Sequence, residues 1–170
     1  MTKANRARLA ELLLQQDRIA HPTLADHCRV IEVFPDTNEK DIKKNIVLFC
    51  KIMKFMYKET DSAAKRVSKA ETMTHASGKE FQKVTTFYKK SNLEKGHHDI
   101  EVGKNNITFC IEIKAQNEKT KYKDKQSQVQ KDFEIKLKNE YGFDYYIIRG
   151  MDDFFDLYDN VIIPKLTTHH

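Results

Sequence analysis

Residues 96–114, GHHDIEVGKNNITFCIEIK, constrain the fold more than any other stretch of the chain. From Asn106 to Lys114 the sequence alternates strictly, with Ile107, Phe109, Ile111 and Ile113 on one face and Thr108, Cys110, Glu112 and Lys114 on the other. That period of two is the mark of a half-buried β-strand. Residues 99–102 alternate in the same way, and Gly103-Lys104-Asn105-Asn106 has the composition of a hairpin loop. The expected hairpin sets Val102 opposite Ile107 and Asp99 opposite Cys110, so that Asp99 lies diagonal to Glu112.

Diagonal neighbours on one face of an antiparallel pair lie roughly 7–8 Å apart. Two carboxylates at that spacing repel, and one of them must hold a proton at neutral pH unless a cation lies between them. A hard divalent ion such as Mg²⁺ accepts one or two carboxylates and fills its remaining positions with waters and phosphate oxygens. Asp99, Glu112 and the neighbouring Lys114 ammonium therefore fit a divalent-metal site that handles phosphate.

The distribution of charge narrows the choice of partner. The formal net charge is +5 over 170 residues, which favours an anionic partner only weakly. Residues 40–69, however, hold nine Lys or Arg against three acids, and residues 119–131 hold five Lys against one Asp. The positive charge thus gathers before and after the carboxylate hairpin, while six acids stand against Arg149 in residues 140–159. Solvated helix faces account for Lys-rich stretches equally well. Cys28, Cys50 and Cys110 lack CxxC spacing, which suggests free, buried thiols in a reducing, intracellular setting. No apolar run is long enough to span a membrane and no signal peptide is visible, so a soluble, cytoplasmic protein is expected.

The other elements follow from periodicity. Residues 4–19 predict an amphipathic helix with Leu9, Leu12, Leu13 and Ile19 on one side, ended by His21-Pro22. Residues 28–34 allow a short strand. Thr37-Asn38 offers an N-cap for a helix running from Glu39 to about Tyr57. Residues 64–72 and 81–88 read as strands joined by a turn at 75–79. A helix from Ser127, with Val129, Phe133, Leu137 and Tyr141 on one side, ends at Gly142 as a left-handed cap. A strand at 144–149 then implies a parallel neighbour for the Glu112 strand. Asp152 is the expected cap of a last helix that docks before Pro164.

Taken in order, these residues resemble a known family. Gly96-x-x-Asp99, then Glu112-Ile113-Lys114, then Gln126-Ser127-x-x-Gln130-Lys131-x-Phe133 opening a helix, then Tyr145-Tyr146-Ile147-Ile148-Arg149, together are similar to the virus-type replication-repair nuclease (VRR-NUC) family of PD-(D/E)xK nucleases. The likeness covers about residues 37 to 162. It implies an α/β fold with a mixed sheet flanked by helices, comprising a nuclease domain at 36–164, an N-terminal helical extension at 1–35 and a tail at 165–170. It also implies metal-dependent hydrolysis of phosphodiester bonds in DNA, mostly branched DNA in replication, repair or recombination. By position, Asp99 and Glu112 would ligate Mg²⁺ or Mn²⁺, with the Ile113 backbone carbonyl a further ligand. Lys114 would orient the attacking water and offset transition-state charge. Gln130 would lie beside the site, and Glu39 would hold a water of the ion's shell or a second ion. A Lys stands near Glu39 where a Gln is common, and His98 stands where the family has Pro or a small residue.

DNA would run along Lys119, Lys121, Lys123 and Lys125 and the basic face of the long helix at Lys43 and Lys44. A homodimer would suit symmetric junctions. Two other functions remain open on the sequence: a non-catalytic nucleic-acid-binding protein of this fold, and a sequence-specific restriction-type enzyme. Individual residues have plainer readings as well. Glu112 and Lys114 match an exposed ion pair, Gln130 completes an S-x-x-Q capping box, Glu39 suits a first helical turn, and His97-His98 reads as a surface pair.

Overall fold

A computed structural model describes residues 1–60, 65–74, 80–89, 97–114 and 126–168, with the backbone alone for 65–74 and 80–89. Its centre is a four-stranded mixed sheet in the order β1-β4-β5-β6. The strands are β1 (Met56–Glu59), β4 (Ile100–Lys104), β5 (Ile107–Ile113) and β6 (Asp144–Ile148); β2 (Lys65–Thr74) and β3 (Glu80–Lys89) form a separate antiparallel ribbon. The helices are α1 (Lys3–Ala20), α2 (Glu39–Ile52), α3 (Gln128–Tyr141) and α4 (Met151–Leu157), which continues through a π-helical turn at Tyr158–Ile162 into α5 (Ile163–Thr168). The last helical stretch thus runs through Pro164 and does not stop before it.

Both faces of the sheet are covered. Ile100, Val102, Phe109, Ile111 and Ile113 face the main core with Ile42, Ile46 and Phe49 of α2, Leu9 of α1, and Phe154 and Phe155 of α4. Phe49 is the hub of that core, with edge-on ring contacts to Phe154 at 5.2 Å, Phe155 at 5.5 Å and Tyr158 at 4.8 Å. On the opposite face, α3 lays Leu137 and Phe133 over Cys110, Tyr145 and Ile147. β5 is therefore buried on both sides, as a strand with a parallel neighbour tends to be, and the half-buried strand of the sequence reading is corrected.

The hairpin register also differs from expectation. Val102 stands opposite Phe109, and Lys104 opposite Ile107. The connection is two residues long, Asn105 (φ 50°) and Asn106 (φ 62°). Two left-handed residues in succession are what a type I′ turn requires, and asparagine tolerates that conformation better than most residues. Gly103 and Lys104 thereby become part of β4.

Several further expectations are revised. α2 ends at Ile52, and Met56–Glu59 leaves the helix to become the edge strand β1. Residues 29–34 are irregular, held to α2 by Asn45, whose amide bonds both the N–H and the carbonyl of Phe34 at 3.0 Å. Asp152 does not cap α4. Its carboxylate accepts bonds from the Thr2 N–H (2.7 Å) and the Asn5 amide (2.6 Å), tying the start of α1 to α4, while Asp153 accepts from the Arg149 N–H at 2.9 Å. Ile19, Val129 and Tyr141 are exposed and do not face the core. The strands expected at 64–72 and 81–88 are present, whereas the turn at 75–79 lies outside the described residues. Cys50 and Cys110 are buried free thiols and Cys28 is exposed.

Candidate active site

The corrected register carries Asp99 to the level of Glu112. Asp99 donates its backbone N–H to the Ile111 carbonyl (2.9 Å), and its Oδ2 accepts the Ile113 N–H (2.8 Å). Asp99 therefore brackets Glu112 by bonding the residues on either side of it. It belongs beside Glu112, not opposite Cys110 as the four-residue loop implied.

Glu112 is only 2% exposed, and its oxygens are held from three elements. Lys114 Nζ lies 3.0 Å from Oε1, and the Gln130 side-chain amide of α3 donates to the same oxygen. Tyr145 of β6 directs its hydroxyl at Oε2 from 3.5 Å. Lys114 thus shares its strand edge with Glu112 as the alternation predicted, and its N–H is fixed by the Ile148 carbonyl at 2.9 Å. This is not an exposed surface ion pair.

Burial pushes the Glu112 carboxyl up to about 7, Asp99 and Glu39 push it in the same direction, and Lys114 opposes them. A carboxylate so placed is short of positive charge. Glu39, in the first turn of α2, is close enough to act on Glu112 although its own side chain is exposed. Gln130 has both of its anticipated tasks: its Oε1 accepts the Ser127 N–H at 2.9 Å to close the capping box, and its other end reaches Glu112.

The donor chemistry fits a hard divalent cation. Among the described residues no three Asp, Glu, His or Cys side chains converge as a self-sufficient metal cage. The Asp99–Glu112 pair suits an ion that keeps waters and takes substrate oxygens, as Mg²⁺ does.

The remaining predicted residues fall in different places. Lys43 lies 3.8 Å from Glu59 of β1, whereas Lys44 sits over the Phe34 ring at 4.2 Å and 3.8 Å from Asp41. Lys119, Lys121, Lys123 and Lys125 lie outside the described residues. His98 is buried, which corrects the surface-pair reading. Its ring packs at a tilt against His97 with centroids 4.3 Å apart, its two nitrogens lack partners among the described residues, and burial pushes it down to about 4. Its carbonyl accepts the Thr60 hydroxyl.

Tyr145 and Gln126 are the residues that sequence reasoning missed. Gln126 donates to Glu134 Oε2 of α3 at 3.0 Å and lies close enough to Tyr145 to act on its hydroxyl, which in turn faces Glu112. The strand pattern of residues 144–149 marked Tyr145 as a sheet residue but held no sign of what its hydroxyl touches.

Fold and site together describe a mixed α/β domain with a carboxylate pair and a lysine at the ends of its central strands and a glutamine of α3 set against them. Comparison with known proteins finds no matching family model, no matching curated protein and no matching solved structure.

Proposed function

We propose that this chain is a Mg²⁺-dependent nuclease of the PD-(D/E)xK type that hydrolyses phosphodiester bonds in DNA, with branched or otherwise structured DNA as its substrate. The observation that carries the reading is Asp99 bracketing a buried Glu112 whose Oε1 lies 3.0 Å from the Lys114 ammonium. A binding surface has no use for two carboxylates facing a phosphate, and their desolvation is costly unless a cation joins them.

When bound, Mg²⁺ (or Mn²⁺) supplies Lewis acidity at the phosphoryl oxygens and offsets developing charge. Asp99 and Glu112 would hold it, with the Ile113 carbonyl as a further oxygen donor and Glu39 to hold a water of the ion's shell or a second ion. Gln130 and Tyr145 fix the Glu112 carboxylate from two directions, so its orientation is set before substrate arrives. Lys114 orients the attacking water and balances charge on the phosphorane-like transition state. Lys43 and the lysines of residues 119–125 bind the backbone of the DNA.

The deciding experiment is a cleavage panel of flaps, forks, four-way junctions, duplex and single strands with Mg²⁺, Mn²⁺ or EDTA. Wild-type protein should cut at least one branched substrate only with metal. Asp99→Ala and Lys114→Ala should each lose cleavage by about 10²-fold or more while keeping native circular dichroism. Undiminished cutting by both variants refutes the assignment.

A further inference from the structure

The β2–β3 ribbon stands apart from the four-stranded sheet, and its placement and charge suggest a role. The two strands pair through ten positions, from Lys65 opposite Lys89 to Thr74 opposite Glu80. At about 3.3 Å per residue the ribbon is about 33 Å long, close to one turn of duplex DNA. Outside its own ladder it has at most marginal contact with any other described element. A lone two-stranded hairpin is marginally stable in water, so this one gains from a partner.

The ribbon is rooted at the candidate site. The chain departs from the sheet at Thr60, whose N–H donates to the Asp99 carbonyl at 2.9 Å and whose hydroxyl donates to the His98 carbonyl. Lys65 follows five residues later, within about 17 Å of Thr60 even along a fully extended chain.

The charge is graded along the ribbon. The five positions nearest the root on each strand (65–69 and 85–89) hold Lys65, Arg66, Lys69 and Lys89 and no acid. Glu80 stands at the far end, and Glu71 is paired across the ladder with Lys83. Lys65 directly opposite Lys89 is unfavourable in isolation, and an anion shared between them reverses the sign. Duplex DNA offers one negative charge per about 1.7 Å of axis, and its major groove admits a two-stranded ribbon.

We infer that β2–β3 is an arm that grips the duplex beside the scissile phosphate, with Lys65, Arg66, Lys69 and Lys89 as its phosphate contacts. The substrate class rests on the nuclease reading, but the grip does not require cleavage. The test compares three full-fold proteins: wild type, the quadruple variant Lys65→Gln/Arg66→Gln/Lys69→Gln/Lys89→Gln, and a chain in which residues 61–96 are replaced by a short glycine linker. The probe is a fluorescent duplex followed by anisotropy between about 50 and about 300 mM salt, with Ca²⁺ in place of Mg²⁺. The slope of log affinity against log salt should fall by about 3 to 4 in the quadruple variant, and by at least as much in the shortened chain, with thermal unfolding of the quadruple variant unchanged. A slope within about 1 of wild type in the quadruple variant overturns the proposal. So does a shortened chain that changes from dimer to monomer while keeping its slope, because the ribbon is then a self-association element. Arm-dependent binding without cleavage of any substrate would defeat the nuclease reading and leave the arm standing. Metal-dependent cleavage with an arm-independent slope would do the reverse.

Discussion

Replacing Glu112 by glutamine should make the metal-free protein more stable at neutral and alkaline pH while abolishing cleavage. The folded-state carboxyl titrates at about 7 against an ordinary 4.5, because it is buried beside Asp99. A raised carboxyl favours the protonated form in the native state. Its contribution to stability is therefore complete below about 4.5 and is lost as pH rises through about 7. The gap between those two values corresponds to about 3 kcal/mol, a sizeable fraction of the roughly 5–15 kcal/mol typical of a domain. The glutamine of the Glu112→Gln variant keeps the shape and still accepts from Lys114 and Gln130, but it carries no charge to bury. Urea unfolding in EDTA at intervals from about pH 4.5 to about pH 8 measures the effect. The stability difference between variant and wild type should widen by about 3 kcal/mol in favour of the variant across that window. Added Mg²⁺ should then recover much of the difference for wild type alone at the alkaline end. Two curves that stay parallel with pH would refute the claim that Glu112 is held at the expense of stability.

Two more substitutions examine the scaffold. Gln130→Ala removes both the capping-box partner of Ser127 and the amide on Glu112, so it should cost about 1 kcal/mol in denaturant melts and also lower cleavage on the best branched substrate. A loss of stability with full activity would confine Gln130 to the helix start. Gly150→Ala places a Cβ 2.8 Å from Asp36 Oδ2, which is itself held by the Met151 N–H and the Met1 amine at 2.9 Å. Thermal unfolding should show about 1–3 kcal/mol of destabilisation, and an unchanged midpoint would mean that the Asp36 contact gives way freely.

Much of this molecule was legible in the sequence where chemistry is local. The Ser127 to Gln130 capping box, the Gly142 cap and the periodic apolar face of α2 each depend on residues within a turn or two, and each is present. The parallel pairing of β5 with β6 followed from a helix lying between two strands. What failed was long-range or two-faced. The register slipped because Gly103 and Lys104 read as loop, although Asn105 and Asn106 alone make the turn. β1 was absorbed into the helical pattern because Met53 and Met56 continue its spacing, yet Met56 is 77% exposed on an edge strand. Asp152 looked like a cap because its true partners, Thr2 and Asn5, lie about 150 positions away in the chain. Asp99, Glu112 and Lys114 fall together despite these errors because they share the end of one hairpin, and the corrected register sets Asp99 level with Glu112.

The Thr60 contact has a consequence for how such a chain can vary. Its hydroxyl and the His98 carbonyl are 38 positions apart in sequence and in contact in space, so everything between them is an excursion that begins and ends at one point. Closing such a loop costs entropy that grows only with the logarithm of its length, about 0.6 kcal/mol for each doubling. The sheet is therefore nearly indifferent to how long that excursion is. Insertions, deletions and grafts between Thr60 and His98 therefore change the closure cost little, and the segment spared in this way is the one rooted beside the carboxylates.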